Sequence, residues 1–284
     1  VIDLVDGYLD EAPRPDAGTV AVGAFTLFIS RTPWAYYARP ALGLDRAIVA
    51  ADIEILAAAC AELGVGLQIE WVGEVRPELE PLARDFGLAV RAHALLVADP
   101  RRVVHEDVDG VAIRIAEWDD PGLIAGRAVA DVAFGHGGTG VGARGVAERD
   151  ELCRSLAPEL VEHLRYRARS GLSVTALAED EDGVLATGAY QPIATAAEVV
   201  SVATLPHARR RGIAGALIAR LASDAAAAGV TTFLLSAQDD DVARVYERVG
   251  FTRIAVAFAA HAVDLAGDVS EAEQADPPER SGGR

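Results

Sequence analysis

The chain has 284 residues and a mass of 29.7 kDa, a length for one large domain or two ordinary ones. Apolar residues make up 51% and charged residues 24%, the profile of a globular chain rather than a disordered one. Asp and Glu number 43 against 26 basic residues, all of them Arg, giving a formal charge of −17. That field disfavours nucleic acid or an anionic membrane as partner and suits an amine-bearing one. Lys, Asn and Met are absent; we read this as coding bias, and the missing start Met as a sign that the N-terminus is trimmed or incomplete. No stretch reaches the roughly 18 apolar residues of a membrane span, and no signal peptide opens the chain. Cys60 and Cys153 lie far apart, without CxxC spacing or clustered histidines. Both are expected to be buried thiols of a cytoplasmic protein, with no metal site.

Three turn-rich stretches punctuate the sequence: Asp10–Gly18, Asp99–Gly110, which reads as a linker, and the tail Gly267–Arg284, which can bury almost nothing. Between the first two, Val20–Ser30 reads as an apolar strand. Arg46–Leu63 repeats apolar residues at helical spacing and stops at Gly64. Gly66–Val72 reads as a strand, Pro77–Phe86 as a helix closed by Gly87, and Leu88–Ala98 as a strand. Past the linker come a strand at Val111–Ala116 and helical segments near Leu123–Phe134 and Ala147–Ser170, separated by the Gly-rich loop Gly135–Gly145. Ser173–Glu179 and Val184–Gln191 form a hairpin by the Asp-Gly rule. Glu198–Thr204 is a strand, Gly212–Ala228 an Ala-rich helix, Thr231–Ser236 a strand, Asp241–Val249 a short helix and Thr252–Ala260 a last strand. The alternation predicts an α/β (α+β) fold with a mixed central sheet. The pattern of Glu70–Ala98 returns in Leu235–Ala260, a degenerate internal repeat.

The chemistry concentrates in Glu198–Ala214, where a strand runs through a turn at Pro206 into a helix beginning at Gly212. A helix start offers free backbone N–H groups and the positive end of the macrodipole. Gly212, Ala214 and Gly215 are small enough to let a diphosphate approach, and Arg209, Arg210 and Arg211 add positive charge. No Lys-Ser/Thr follows, so this is not a nucleotide P-loop, and the glycines do not fit GxGxxG. A Gly-x-Ser-x-Gly nucleophile motif is also absent.

Arg209-x-x-Gly212-x-Ala214 instead resembles the Arg/Gln-x-x-Gly-x-Gly/Ala signature of the GNAT (GCN5-related N-acetyltransferase) superfamily. Val242–Phe251 is similar to that family's Ala-x-x-x-Tyr-x-x-x-Gly-Phe segment, and the element order from Val111 to Ala260 follows its fold. The resemblance implies a degenerate half-GNAT-like domain at 1–98, a linker at 99–110, a GNAT acetyltransferase domain at 111–265 and a disordered tail at 266–284. It implies acetyl-CoA as co-substrate. Val202 and Thr204 would pair with the pantetheine arm, while Arg209, Arg210, Arg211, Gly212, Ile213, Ala214, Gly215 and Arg244 would contact the rest of the molecule. Tyr246 is then the general acid for the leaving thiolate, or an aromatic that only packs. Glu198 is the base that deprotonates the acceptor amine, or an ordinary strand-entry charge; Glu117 is a weaker candidate. His207 lies in the cradle and is a lesser candidate for touching phosphate. Many family members start the late helix with an Asn that contacts CoA, where this chain has Asp239. In the first half, Pro33–Pro40 stands where the loop should be, without its glycines, so no CoA is expected there. The Trp34–Tyr37 aromatics would pack or line an acceptor pocket. The expected acceptor is a small-molecule or peptide amine; a homodimer is left open. Two other readings remain: a non-catalytic CoA-binding GNAT-like module, and acyl transfer from a carrier protein in secondary metabolism.

Overall fold

The computed structural model describes residues 1–32 and 37–262. They form two compact units, Val1–His93 together with the residues from Ala255, and Ala94–Ile254. The division falls within two strands rather than at the predicted linker, because strand partners decide it. Residues 94–98 pair with a strand of the second unit, and 257–261 pair with a strand of the first.

The first unit opens with α1 (Ile2–Glu11), which buries Val5, Tyr8 and Leu9 at helical spacing. The stretch expected to be turn-rich from Asp10 is therefore partly helix, with Asp10 buried and bonded to Arg14 at 2.5 Å. The single strand expected at Val20–Ser30 is a hairpin, β1 (Ala17–Val22) and β2 (Phe25–Ser30). Next come β3 (Ala38–Pro40), α2 (Ala50–Leu63), β4 (Gln68–Val72), α3 (Leu79–Asp85) and β5 (Leu88–Ala98). The sheet runs β1-β2-β3-β4 and then β11 (Thr252–Ala262); β3 and β4 are parallel and the other neighbours antiparallel. Phe25, Leu27, Ile53, Leu56, Ile69 and Trp71 fill its core. Trp34, Ala35 and Tyr36 lie outside the described residues, while Tyr37 sets its ring edge-on to Phe28 at 6.2 Å. The predicted tail also lies outside them.

The second unit contains β6 (Ala112–Ile115), α4 (Gly122–Phe134), α5 (Val146–Ser155), α6 (Pro158–Arg169), β7 (Val174–Asp180), β8 (Gly183–Ile193), β9 (Ala196–Thr204), α7 (Ile213–Ala227), β10 (Thr232–Ala237) and α8 (Asp240–Arg248). One helical segment was expected over Ala147–Ser170. It is two, because Pro158 has no N–H with which to continue α5 and starts α6 instead. The sheet order is β5-β10-β9-β8-β7-β6, with β9 and β10 parallel and the rest antiparallel. On α7, Leu217, Ile218 and Leu221 are fully buried against the sheet, each contributing about 1.5–3 kcal/mol of transfer free energy. The Tyr190 hydroxyl on β8 donates to Asp224 on the same helix at 2.8 Å. These anchors fix where α7 begins, and that start is where the site is built.

Candidate active site

β9 and β10 part company early. Their pairing runs through Thr232↔Ala196, Phe233↔Ala197 and Leu234↔Glu198, and no further. Yet β9 continues to Thr204 and β10 to Ala237. The cause is visible on the other side of β9. Thr187 faces Ala203 and Ala189 faces Val200, so Ser201 and Val202 together oppose the single Gly188. Ser201 takes a left-handed φ of +55° there. An extra residue of this kind bends and twists its strand. The edge Val199–Thr204, with Val202 and Thr204 half-buried, is therefore outside the β10 ladder. Glu198, also half-buried, is the last paired residue before the split.

That edge leads to the helix start. After a 3-10 turn at Pro206–Ala208, Arg210 and Gly212 adopt φ of +68° and +83°, and α7 follows. Gly212 fits because a left-handed residue carries no steric penalty without a Cβ. Successive N–H groups near left-handed residues form an anion-binding concavity. The N–H groups of Ile213, Ala214 and Gly215 precede the bond from Ala216 N–H to Gly212 O at 3.2 Å. No acidic residue stands in the first turn. Arg210 is exposed, and Arg211 lies 3.9 Å from Asp180. Ile213 is buried in the core, so only its backbone faces the concavity.

Arg209 differs from the expectation. Its guanidinium donates to the carbonyls of Thr204 (3.2 Å), His136 (3.1 Å), Gly140 (3.1 Å) and Ala133 (2.9 Å). Desolvation lowers its pKa. Four of its five N–H groups are spent, so its side chain is a structural tie rather than a free cation. His207 also faces away from the helix start. Its ring lies on Gly145, where a Cβ would fall 2.6 Å from Nδ1.

The imidazole of His105 lies against Gly212 and Gly215. A Cβ on Gly215 would fall 2.3 Å from its Cδ2, and its Nδ1 donates to Glu106 O at 2.6 Å. Sequence reading passed over this residue, which sits in the segment taken as a linker. Only folding brings it beside a helix more than 100 residues later.

Tyr246 on α8 is buried, its ring edge-on to Phe251 at 5.7 Å. Phe251 stacks on Phe233 (6.3 Å), and Phe233 meets Tyr190 (5.8 Å). This aromatic chain ties α8 to the part of β10 that pairs with β9. The Tyr246 hydroxyl has no hydrogen-bond partner among the described residues, and burial raises its pKa, so it is protonated at neutral pH. Gly250 closes α8 at φ +113°, a conformation open to glycine and strained for other residues. Asp239 caps the helix by accepting from Val242 N at 2.8 Å. Arg244 pairs with Asp241 on an exposed face. Glu117 follows β6, three strands from β9 in the sheet. That spacing is about 14 Å, so Glu117 does not join the other residues.

Residues 171–253, which include Glu198, the helix start and Tyr246, match the family model described as an acetyltransferase (GNAT) domain. Among solved structures, the chain is similar to a GCN5-related N-acetyltransferase from Kribbella flavida, at 21% identity and a TM-score of 0.70, covering 94% of this chain and 96% of that one. A GCN5-related N-acetyltransferase from Sphaerobacter thermophilus gives 15% identity, a TM-score of 0.59 and coverage of 93% and 91%. A tandem GNAT protein from the clavulanic acid biosynthesis pathway gives 16% identity, a TM-score of 0.55 and coverage of 93% and 88%. At these identities the likeness is one of fold. No curated protein matches the chain.

Proposed function

We propose that this chain, which carries a GNAT domain, transfers an acetyl group from acetyl-CoA to an amine by direct attack. The observation that carries the reading is the split of β9 from β10 beyond Glu198, leading to a left-handed, acid-free helix start. The diphosphate binds the backbone N–H groups from Arg210 to Gly215, beside the Arg210 and Arg211 side chains. The pantetheine arm lies along the edge of β9 at Val202 and Thr204.

The acceptor arrives as an ammonium ion and must lose a proton before it can attack. Glu198, directly or through a water, takes that proton. The amine nitrogen bonds to the thioester carbon, and a backbone N–H of β9 holds the oxyanion. The C–S bond breaks, the Tyr246 hydroxyl protonates the departing thiolate, and the proton still held by the new amide nitrogen passes, directly or through water, to the Tyr246 phenolate. A phenol is protonated at neutral pH and can supply this proton.

A non-catalytic CoA-binding module is the alternative, and Tyr246 argues against it. Its hydroxyl is not tied up in a hydrogen bond to any described residue, which leaves its proton available to a leaving thiolate. The test is acetyl-CoA-dependent thiol release across a panel of aliphatic, aromatic and peptide amines. Release with at least one amine is expected. CoA binding without any release would favour the module, and absence of CoA binding would overturn the reading.

A further inference from the structure

The loop joining α4 to α5, residues 135–145, is held by polar ties rather than by burial. Gly137, Gly138 and Gly140 are exposed, and Val141 is 64% exposed. The ties end on the segment just ahead of α7. Arg209 Nη1 donates to His136 O and Gly140 O, both at 3.1 Å, and its Nη2 to Ala133 O at the end of α4 (2.9 Å). Gly142 N donates to Pro206 O and His207 N to Arg144 O, each at 3.1 Å. The same guanidinium reaches Thr204 O at the end of β9 at 3.2 Å. Arg209 thus joins three elements: the strand edge, the helix start and the loop.

We propose that Arg209 is a positioning residue that couples occupancy of the diphosphate cradle to the conformation of loop 135–145. The inference rests on the acyl-CoA reading above. Residues 206–209 carry the ties and lead directly into Arg210–Gly215, whose N–H groups would receive the anion. Arg210 holds a left-handed conformation that L side chains rarely adopt. An anion on the following N–H groups favours that shape, and with it the Arg209 geometry that holds the loop. A loop with few buried contacts belongs to the low-stability end of a fold, so a modest bias shifts it between held and released states. Linkage is reciprocal. Whatever binds the held loop, including an acceptor amine that touches it, raises affinity for the CoA ester by the same factor.

Hydrogen exchange on the full chain, with and without CoA, tests this. In the wild type, CoA is expected to slow exchange of the amides of residues 136–144 about fivefold or more. Arg209→Lys keeps a positive charge but cannot reach the separate carbonyls together. By reciprocity it should lose no more CoA affinity, measured by calorimetry, than the coupling factor of about fivefold, while losing the CoA-dependent slowing. A tie that only supported the fold would alter loop exchange equally with and without CoA. Gly142→Pro, made together with His136→Ala because a Cβ at 142 would fall 2.3 Å from His136 Nε2, removes the donor to Pro206 O and keeps the Arg209 side chain and its backbone acceptors in the chain; it should reduce the CoA-dependent slowing as well. It decides the matter if Arg209→Lys does not fold. The proposal falls if wild-type loop exchange ignores CoA, or if this double variant retains the full effect. It also falls if Arg209→Lys loses CoA affinity by more than about tenfold with CoA-dependent slowing unchanged, which would make Arg209 a direct phosphate ligand. Failure of the wild type to bind CoA overturns the acyl-CoA reading itself, so the two failures are told apart.

Discussion

Tyr246 keeps a hydroxyl where a phenylalanine would pack equally well against Phe251, and burial holds that hydroxyl protonated. Tyr246→Phe should therefore leave the fold intact, with an unchanged or slightly higher Tm, and CoA affinity near wild type. Turnover should fall at least about tenfold, at the cautious end of general-acid contributions of about 10²–10⁴. Measuring kcat under conditions where chemistry limits the rate checks this. A Phe variant with wild-type kcat there would remove Tyr246 from the mechanism and leave the CoA cradle untouched. The arginines show how three adjacent residues of one type divide their work. Arg209 is spent on carbonyls, whereas Arg210 and Arg211 are exposed cations beside the helix start.

The helices α2 of the first unit and α7 of the second begin in opposite ways. In α7 the first turn has no acid. In α2 the Asp52 carboxylate accepts from Val49 N at 3.0 Å and takes both arms of Arg46 at 2.7 Å. Arg46 holds that carboxyl below its usual range. Glu78 also accepts from Ile48 N at 3.1 Å. The start of α2 thus has its own anions, whereas the first turn of α7 has none. Gly212→Glu places a carboxylate beside the free N–H groups of α7 and puts a side chain on a left-handed residue. We expect it to abolish CoA binding. Calorimetry showing wild-type affinity in the folded variant would refute the assignment of this loop.

For the whole molecule the consequence is a stoichiometry. The first unit repeats the strand–helix–strand pattern of the second, but Asp52 and Glu78 place carboxylates at its helix start, and its α3 carries no tyrosine. Its carboxylate on β4, Glu70, is pushed up to about 7 by burial against the opposing pull of Arg39. Among the described residues, the start of α2 presents a diphosphate with carboxylates rather than with an acid-free first turn. Titration should find one CoA per chain. Two CoA molecules per chain would show that the first unit binds the ester by a route other than a helix start.

The sequence by itself determined the elements with strong local signals. Pro206, the arginine run and Gly212 announced a helix start suited to an anion, and Val242–Phe251 announced α8 closed at Gly250, because such signals act within a few residues. β5 at Leu88–Ala98 was legible from its apolar run alone. The Val20–Ser30 hairpin was not, since an apolar run does not reveal where it turns, and α1 had its spacing of Val5, Tyr8 and Leu9 but went unread. Only the tertiary structure decided the rest. The bulge at Ser201 and the end of β9–β10 pairing depend on which strands meet. The ties of Arg209 to carbonyls more than 60 residues away, and the seat of His105 on Gly215, depend on contacts no local pattern encodes. Residue type and spacing specify which backbone groups are free; only the packed chain specifies which side chains reach them first.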